Sequence, residues 1–473
     1  MLLSALADGA APVEIASLAY DSRATTPGAL FFCVPGERSD GHEHAAAAVA
    51  RGAVALVVER PLGLGVPELL VPSVRIAMAP LAARFYGDPS GALRVVGVTG
   101  TNGKTTTTFL VRAILDAAGE RCALLGTVKS VIGGRDGEVV RTTPEAIDLQ
   151  AALASMRDAG DRACAMEVSS HALALHRADA IHFAAAVFTN LTQDHLDFHE
   201  SMEDYYRAKR LLFEAEPALA LANADDPYGQ RLLAEFPRAV GFGLSAGADY
   251  RAAGLRFGLA EASFTALTPE GELEIRTRLP GAFNVANALA ALATAHRLGV
   301  PLATIADALA VAEPAPGRFQ ALDEGQPFAV LVDYAHTPDS LENVLRAARA
   351  LTGGRLICVF GCGGDRDRGK RPQMGRISSR LADLTIVTSD NPRSEDPVAI
   401  VEQIVAGAVG EHPVEALVER RAAIARAIAL ARSDDVVVIA GKGHEQGQEF
   451  AHGHKVPFDD ASVAREELQA AVT

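Results

Sequence analysis

The chain has 473 residues, of which 49% are hydrophobic and 22% charged, and its 59 acidic against 44 basic side chains give a net charge of −15. That length predicts about three domains, and no apolar run approaches the ~18 residues of a membrane span. The acidity disfavours nonspecific binding to nucleic acid or anionic membranes and leaves small molecules as the expected partners, with a local basic pocket still possible. The opening Met1-Leu2-Leu3-Ser4-Ala5 has no basic segment and meets Asp8 early, so it does not read as a secretory signal, and a cytoplasmic location is expected.

Residues 1–90 read as a small α/β domain. Strands are predicted at Leu30 to Val34 and Ala53 to Val58, with an alanine-rich helix from His44 to Ala50 between them. Asp21-Ser22-Arg23 and the loop from Gly36 to His42 are polar turns beside those strands. Each reads equally as a binding loop or a solvated one.

The second region, 91–314, opens on Val95-Val96-Gly97-Val98, a glycine-rich turn through Gly103-Lys104-Thr105, and then Phe109, Leu110, Ala113, Ile114 and Ala117 at helical spacing before Gly119. That is a strand, a loop and a helix start. Backbone N–H groups in such a loop, aided by the positive end of the helix dipole, suit a polyphosphate. Lys104 would reach the terminal phosphates and the Thr105 hydroxyl a Mg²⁺. Strict Walker A spacing is not met, because the first glycine would fall at Val98. An ordinary tight turn or a dinucleotide-type loop are the alternatives, but neither accounts for Gly-Lys-Thr at a helix entrance.

Further along, Ala163 to Met166 leads into Glu167-Val168-Ser169-Ser170-His171, and Phe183 to Phe188 leads into Thr189 through His195. Open α/β sheets bind ligands beyond the carboxyl ends of their strands, so Glu167 and His195 are candidate divalent-metal ligands. Otherwise, His195 caps a helix and Glu167 pairs with a surface base. Asn284 and Asn287 stand before an alanine-rich helix, where they either cap it or read a ligand.

The third region, 315–473, repeats the strand-to-loop pattern four times. Phe328 to Val332 ends at Asp333-Tyr334-Ala335-His336, Leu356 to Phe360 at Gly361 to Asp365, Leu384 to Thr388 at Ser389 to Arg393, and Val436 to Ala440 at Gly441 to Glu445. A doubly wound sheet with charged loops along one edge is predicted. The Asp365 to Arg371 stretch is a solvated turn or, with its arginines, a carboxylate site. The five cysteines, Cys33, Cys122, Cys164, Cys358 and Cys362, form no Cys-x-x-Cys pair and read as buried free thiols.

Taken together, the Gly-Thr-Asn-Gly-Lys-Thr loop, Glu167 to His171, Asp194-His195, Asn284 to Asn287, Gly317-Arg318-Phe319, Asp333 to His336 and Asp390-Asn391-Pro392-Arg393 resemble the Mur ligases of peptidoglycan synthesis, in that family's order along almost the whole chain. The resemblance implies an α/β protein of three domains: an N-terminal UDP-binding domain, a central P-loop ATPase domain and a C-terminal Rossmann-like domain that receives an amino acid. It also implies that Ser22, Glu37, Arg38 and Ser39 contact the uridine diphosphate, while Thr142, Thr143, Ser169 and Arg177 hold the sugar-peptide. ATP would be bound by Gly100, Thr101, Asn102, Gly103, Lys104, Thr105 and Thr106, with Asn284 at the adenine and Arg318 near the nucleotide. Mg²⁺ would be held by Thr105, Glu167, His195 and Lys209, the last as an N6-carboxylated lysine. By residue type alone, Lys209 in Tyr205-Tyr206-Arg207-Ala208-Lys209 reads as a surface helix lysine. Arg141 stands where the family often has Asn, and Leu175 where it often has Gln.

The resemblance is strongest to the branch that adds meso-2,6-diaminopimelate to UDP-MurNAc-L-Ala-D-Glu through an acyl phosphate. Catalysis would fall to Lys104, Lys209, His195 and Glu167. Arg366, Asp390, Asn391, Pro392, Arg393, Gly441 and Glu445 would bind the acceptor, Arg393 taking its second carboxylate and Glu445 its distal ammonium. The expected working form is a monomer acting on small molecules. A ligase with L-lysine or another amine as acceptor, and a nonenzymatic nucleotide-gated binding protein, are the alternatives.

Overall fold

The computed structural model describes residues 1–36, 39–258, 261–410 and 412–472. They fall into two compact units, one made of Met1–Thr99, Gly119–Ala186 and Ala208–Leu219, the other of Gly100–Ala118, Val187–Arg207 and Ala220–Thr473. Among the described residues, no helix is long and apolar enough to cross a membrane.

The first unit begins with a parallel four-stranded sheet in chain order, Ser17–Ala19, Ala29–Phe32, Ala53–Val58 and Glu68–Leu70. Side chains alternate between two faces along a strand, and both faces here are apolar. Leu30, Phe32, Ala55 and Val57 pack with the Val74–Phe85 helix, while Phe31, Cys33, Leu56 and Val58 pack with Ala45 and Ala48. The predicted helix is shorter than expected at its start: Gly41–His44 is a 3-10 turn whose cap is the Asp40 carboxylate, and the α-helix is Ala45–Ala50. The same unit holds the strands Arg94–Thr99, Ala163–Glu167 and Cys122–Leu125, paired in parallel in that order and extended by an antiparallel hairpin, Ser130–Ile132 and Arg135–Gly137. A Cβ on Gly97 would lie 2.7 Å from the Phe183 ring, so glycine there lets the ring close over the strand.

In the second unit, the Lys104–Ala117 helix packs beside the Ala282–Arg297 helix. Strands Ala220–Asn223, Val240–Gly243 and Tyr250–Phe257 run parallel, and Ala262–Thr268 and Gly271–Thr277 continue antiparallel. The C-terminal sheet has six strands in the order Gln320–Leu322, Ala329–Asp333, Val436–Ala440, Leu356–Phe360, Leu384–Val387 and Val414–Ala416. All but the first run parallel. Leu356, Cys358 and Phe360 face Leu341, Leu345 and Met374 on one side, and Ile357 and Val359 face Ala423, Ile424 and Ile428 on the other. This is the doubly wound sheet expected from the four strand-to-loop units, and its parallel strands carry their carboxyl-terminal loops to one edge. All five cysteines are free and buried.

Two ion pairs pin this region from inside. Arg420 and Asp460 are both fully buried, joined by two hydrogen bonds of 2.7 Å, and Arg420 also donates to the carbonyls of Ala440 and Ser389. Arg371 donates to both carboxylate oxygens of Glu395, at 3.0 and 2.9 Å. Those hydrogen bonds, opposed in part by burial, hold the Glu395 carboxyl down at about 2. A carboxyl depressed in the folded state contributes stability above its unfolded value of about 4.5 and loses it as pH falls toward about 2. The destabilisation caused by Glu395→Gln is therefore expected to be full at neutral pH and to shrink across that window, as checked by urea unfolding at a series of pH values. A pH-independent difference would show that the pair is not the source.

Candidate active site

The Thr99 strand ends where the glycine-rich loop begins, and the loop is held by its own backbone and neighbours. Gly100 has φ +149°, and a Cβ there would collide with Thr189 Oγ1. Gly103 has φ +86°, and a Cβ there would collide with Asn287 Oδ1. Both positions require glycine. The Asn102 N–H donates to Asn190 Oδ1 at 2.9 Å, and Thr189 Oγ1 donates to the Asn102 carbonyl at 2.6 Å. Gly103 leaves the Lys104–Ala117 helix without a side-chain cap. A helix N-terminus of that kind suits an anion. Lys104 folds back, its Nζ donating to the carbonyls of Gly100 at 2.9 Å and Thr101 at 2.8 Å.

Beside the loop lies a cavity of about 480 Å³ lined by Asn102, Gly103 and Thr106 on one wall and by Phe283, Asn284, Arg318, Asp333 and Tyr334 on another. Asn284 and Asn287 are not helix caps, which corrects that expectation: the helix starts at Ala282 with Gly281 as its N-cap, so both side chains lie inside it. Asn284 Nδ2 donates to the Pro280 carbonyl, and Asn287 Nδ2 donates to Asn284 Oδ1. Arg318 lies 4.4 Å over the Tyr334 ring and donates from Nη2 to Thr105 Oγ1 at 3.1 Å, which brings it to the glycine-rich loop. Its Nε is buried without a hydrogen-bond partner. Asp333, which had no expected role, accepts from the N–H groups of Phe319 at 2.6 Å and Ala335 at 2.7 Å, and so ties two of the motifs together. Burial pushes its carboxyl up, and Arg318 opposes that shift.

His195 has left-handed backbone, φ 54°, and no helix starts at it, so the capping alternative fails. Its Nε2 lies 3.4 Å from Asp194 Oδ2, and His336 Nε2 lies 3.7 Å from the same oxygen. Burial would raise the Asp194 carboxyl, but His336, His195 and Lys370 outweigh it and hold the group well below the usual range. Among the described residues, no three His, Cys, Asp or Glu side chains gather as a metal site.

The residues expected to bind the acceptor also converge. Asp390 and Asn391 are buried, and a Cβ on Gly441, φ +117°, would lie 2.6 Å from Asp390 Oδ2. Asn391 Nδ2 donates to Glu445 Oε2 at 2.7 Å. Lys442, absent from the expected set and fully buried, donates to Asn391 Oδ1 at 2.9 Å and to Glu445 Oε2 at 3.0 Å. Burial would raise the Asp390 carboxyl, but Lys442 and Arg420 hold it below its ordinary value. Gly363 separates Arg366 from Arg393, since a Cβ there would lie 3.9 Å from the Arg366 stem and 3.0 Å from Arg393 Nη1. Arg366 is half exposed, 3.9 Å from Asp197.

In the first unit, Glu167 and Lys209 are each 1% exposed. Burial overturns both bland readings, of Glu167 as a partner for a surface base and of Lys209 as a surface lysine. Glu167 accepts from the Thr127 N–H at 2.8 Å and from Thr127 Oγ1 at 3.1 Å. Thr142 Oγ1 is 3.0 Å from Thr127 Oγ1, and Thr143 Oγ1 donates to the Glu167 carbonyl and accepts from the Ser169 N–H. Ser169 caps the Ser170–Ala174 helix by accepting from the Ala172 N–H. Arg177 pairs with Glu145 at 2.9 Å, and Glu145 also takes Arg75 at 3.2 Å and Arg141 at 2.9 Å. Glu145 was missed by the sequence reading, although it directly follows Thr142-Thr143-Pro144. Ser22 opens a 3-10 turn capped by Asp21, and Ser39 Oγ is 2.7 Å from His44 Nε2. Glu37 and Arg38 lie outside the described residues.

Three family models match the chain in succession: the Mur ligase family catalytic domain over residues 14–86, the Mur ligase middle domain over 98–295, and the Mur ligase glutamate ligase domain over 317–443. A UDP-N-acetylmuramoyl-L-alanyl-D-glutamate–2,6-diaminopimelate ligase of Syntrophomonas wolfei is 48% identical, with 99% of this chain and 97% of that protein covered. The protein of that name from Geobacillus thermodenitrificans is 48% identical over 96% of this chain and 94% of its own. A solved structure of a protein with the same name is similar with a TM-score of 0.73 at 34% identity, covering 100% of this chain and 99% of the other. With near-full-length identity to these relatives and three domain models matched in order, the chain belongs to the Mur ligase family.

Proposed function

We propose that this protein is the ATP-dependent ligase that joins meso-2,6-diaminopimelate to UDP-MurNAc-L-Ala-D-Glu, making the tripeptide precursor of peptidoglycan. The observation that supports it most is the full-length similarity to ligases of that name, at 48% identity over 99% of the chain. The convergence of Arg393, Asn391 and Glu445 at one sheet edge agrees with it. The domains proposed are residues 1–90 for the UDP-sugar, 91–314 for ATP and 315–473 for the acceptor, in a monomeric cytoplasmic enzyme.

A carboxylate acylates amines poorly, so it must first be activated. The D-glutamyl γ-carboxylate attacks the γ-phosphorus of ATP, the bond to the bridging oxygen breaks, and ADP leaves behind an acyl phosphate. The acceptor amine then adds to the acyl carbon, loses a proton, and the tetrahedral intermediate expels phosphate. Both reactants in the first step are anionic. Lys104 is proposed to exchange its bonds to the Gly100 and Thr101 carbonyls for phosphate oxygens, and Arg318, already beside Thr105, to add a second positive charge. Asn284 and its wall of the cavity are assigned to the adenine. Thr142, Thr143, Ser169 and Arg177 are assigned to the sugar-peptide, and Ser22 and Ser39 to the uridine diphosphate.

Thr105, Glu167, His195 and Lys209 are proposed to hold Mg²⁺. The donor types fit a hard cation: a hydroxyl, a carboxylate and an imidazole, with Glu167 and Lys209 both buried away from water. As a carbamate, Lys209 offers anionic oxygens. The ion would offset phosphate charge when bound.

The deciding experiment is ADP release by the purified protein with ATP, Mg²⁺ and UDP-MurNAc-L-Ala-D-Glu, comparing meso-diaminopimelate with L-lysine. Turnover with the diacid and little with L-lysine is expected, because the analogue lacking the second carboxylate leaves the free end of the partly buried Arg393 fork unused. Equal use of both would sink the acceptor assignment, and no ADP release with either would sink the ligase.

A further inference from the structure

Glu449 has no part in the acceptor set above, yet it holds the residue on which acceptor choice turns. Arg393 adopts left-handed backbone, φ 50°, a conformation that costs a non-glycine residue energy and persists only where its surroundings impose it. The restraint comes from the hairpin of strands Gly447–Glu449 and Lys455–Pro457. The Arg393 N–H donates to the Glu449 carbonyl at 3.0 Å, and its Nε donates to Glu449 Oε2 at 3.1 Å. On the far side, Nη1 donates to the Gly364 carbonyl at 2.8 Å. Glu449 is itself anchored, its N–H donating to Asn391 Oδ1 at 3.0 Å.

A guanidinium can grip a carboxylate along its Nε/Nη2 side or across its Nη1/Nη2 end. With Nε engaged by Glu449, the side is closed and the end remains. We propose that Glu449 is a positioning residue for acceptor selection: it fixes the Arg393 fork so that the acceptor's distal carboxylate is taken end-on, by Nη2 and the second N–H of Nη1. The pair is partly buried, with side chains 22% and 33% exposed, so the aim of the fork is set by packing and hydrogen bonding together. This inference rests on the reading of Arg393 as the carboxylate receptor. Glu449 touches no substrate; it acts through the geometry of Arg393.

Losing the Nε contact frees the fork to rotate and opens its side edge. Glu449→Ala is expected to raise KM for meso-diaminopimelate about tenfold, the worth of one charge-assisted hydrogen bond. Acyl phosphate formation, read as ADP release in a single turnover without acceptor, should stay at the wild-type level. Glu449→Gln keeps an oxygen for Nε and should stay within about threefold of wild type, which a role through charge alone would not allow. Added to Arg393→Ala, Glu449→Ala should change nothing further, because the residue through which it acts is gone.

A wild-type KM in Glu449→Ala, where Arg393→Ala raises it, overturns the positioning role and leaves the Arg393 reading intact. Additive effects in the double variant also overturn it. A wild-type KM in Arg393→Ala overturns the reading beneath it. Equal loss of acyl phosphate formation and acceptor use in Glu449→Ala marks general damage to the domain and counts against the proposal.

Discussion

Replacing Lys209 with Ala is expected to lower turnover by ~10³-fold or more, the scale on which charge-stabilising groups act in phosphoryl transfer. A surface lysine would predict almost nothing, since exposed substitutions change stability by about 0.5 kcal/mol at most. Lys209 is 1% exposed, however, on the helix Met202–Glu214. A buried ammonium needs compensation, whereas a carbamate on the same nitrogen turns the position into an anionic oxygen donor. Because Ala also empties space, Lys209→Met is the matched control: it keeps the aliphatic stem and should be equally inactive while melting near the wild type. Mass analysis of the peptide carrying Lys209, prepared without acid, should show one added carbon dioxide. Bicarbonate with a short carboxylate should restore part of the activity of Lys209→Ala and none of Lys209→Met, whose side chain fills the space. Full activity in either variant would remove Lys209 from the metal set.

How far a sequence discloses its fold is visible in which elements were foreseen. Ala53–Val58, Phe183–Phe188, Leu356–Phe360 and Val436–Ala440 were read to the residue, because each is a continuous apolar run that stops at a polar cluster. The strands Tyr250–Phe257, Ala262–Thr268 and Gly271–Thr277, joined antiparallel in that order, were not foreseen. Their outer faces are wet, so Glu272, Glu274 and Arg276 interrupt the apolar pattern, and the period-2 signal is weak against so much charge. At the site, the glycine-rich loop and the helix start after it were legible from its glycines and lysine. Lys209 was legible only through the family resemblance, because residue type alone argues for the surface and its burial shows only in the fold. The partners that orient the site were hidden because Asp333, Glu145, Lys442 and Glu449 do their work through contacts 14 to 70 residues away or through a neighbouring motif, which no local pattern records.

Removing Arg393 should separate the two halves of the reaction. Arg393→Ala is expected to lower kcat/KM for meso-diaminopimelate by ~10²- to 10³-fold, in the range for truncating one partner of a desolvated charge pair, about 3–4 kcal/mol. Acyl phosphate formation should remain, because it needs the phosphate loop and the nucleotide-peptide and no acceptor. L-lysine has no second carboxylate for the fork to lose, so its low activity should change little, and the preference between the two acceptors should collapse. Arg393→Lys is expected to recover only a small part, since a lysine ammonium presents a point charge where the site is built for a planar fork. Glu449 and the Gly364 carbonyl would remain as acceptors without their donor, and that stranded polarity adds to the loss. The measurement is a pair of assays on one preparation, single-turnover ADP release without acceptor and steady-state kinetics with each amine. Parallel decline in both assays would place Arg393 in the scaffold of the domain, and an unchanged acceptor preference would move carboxylate recognition to Arg366, on the other side of Gly363.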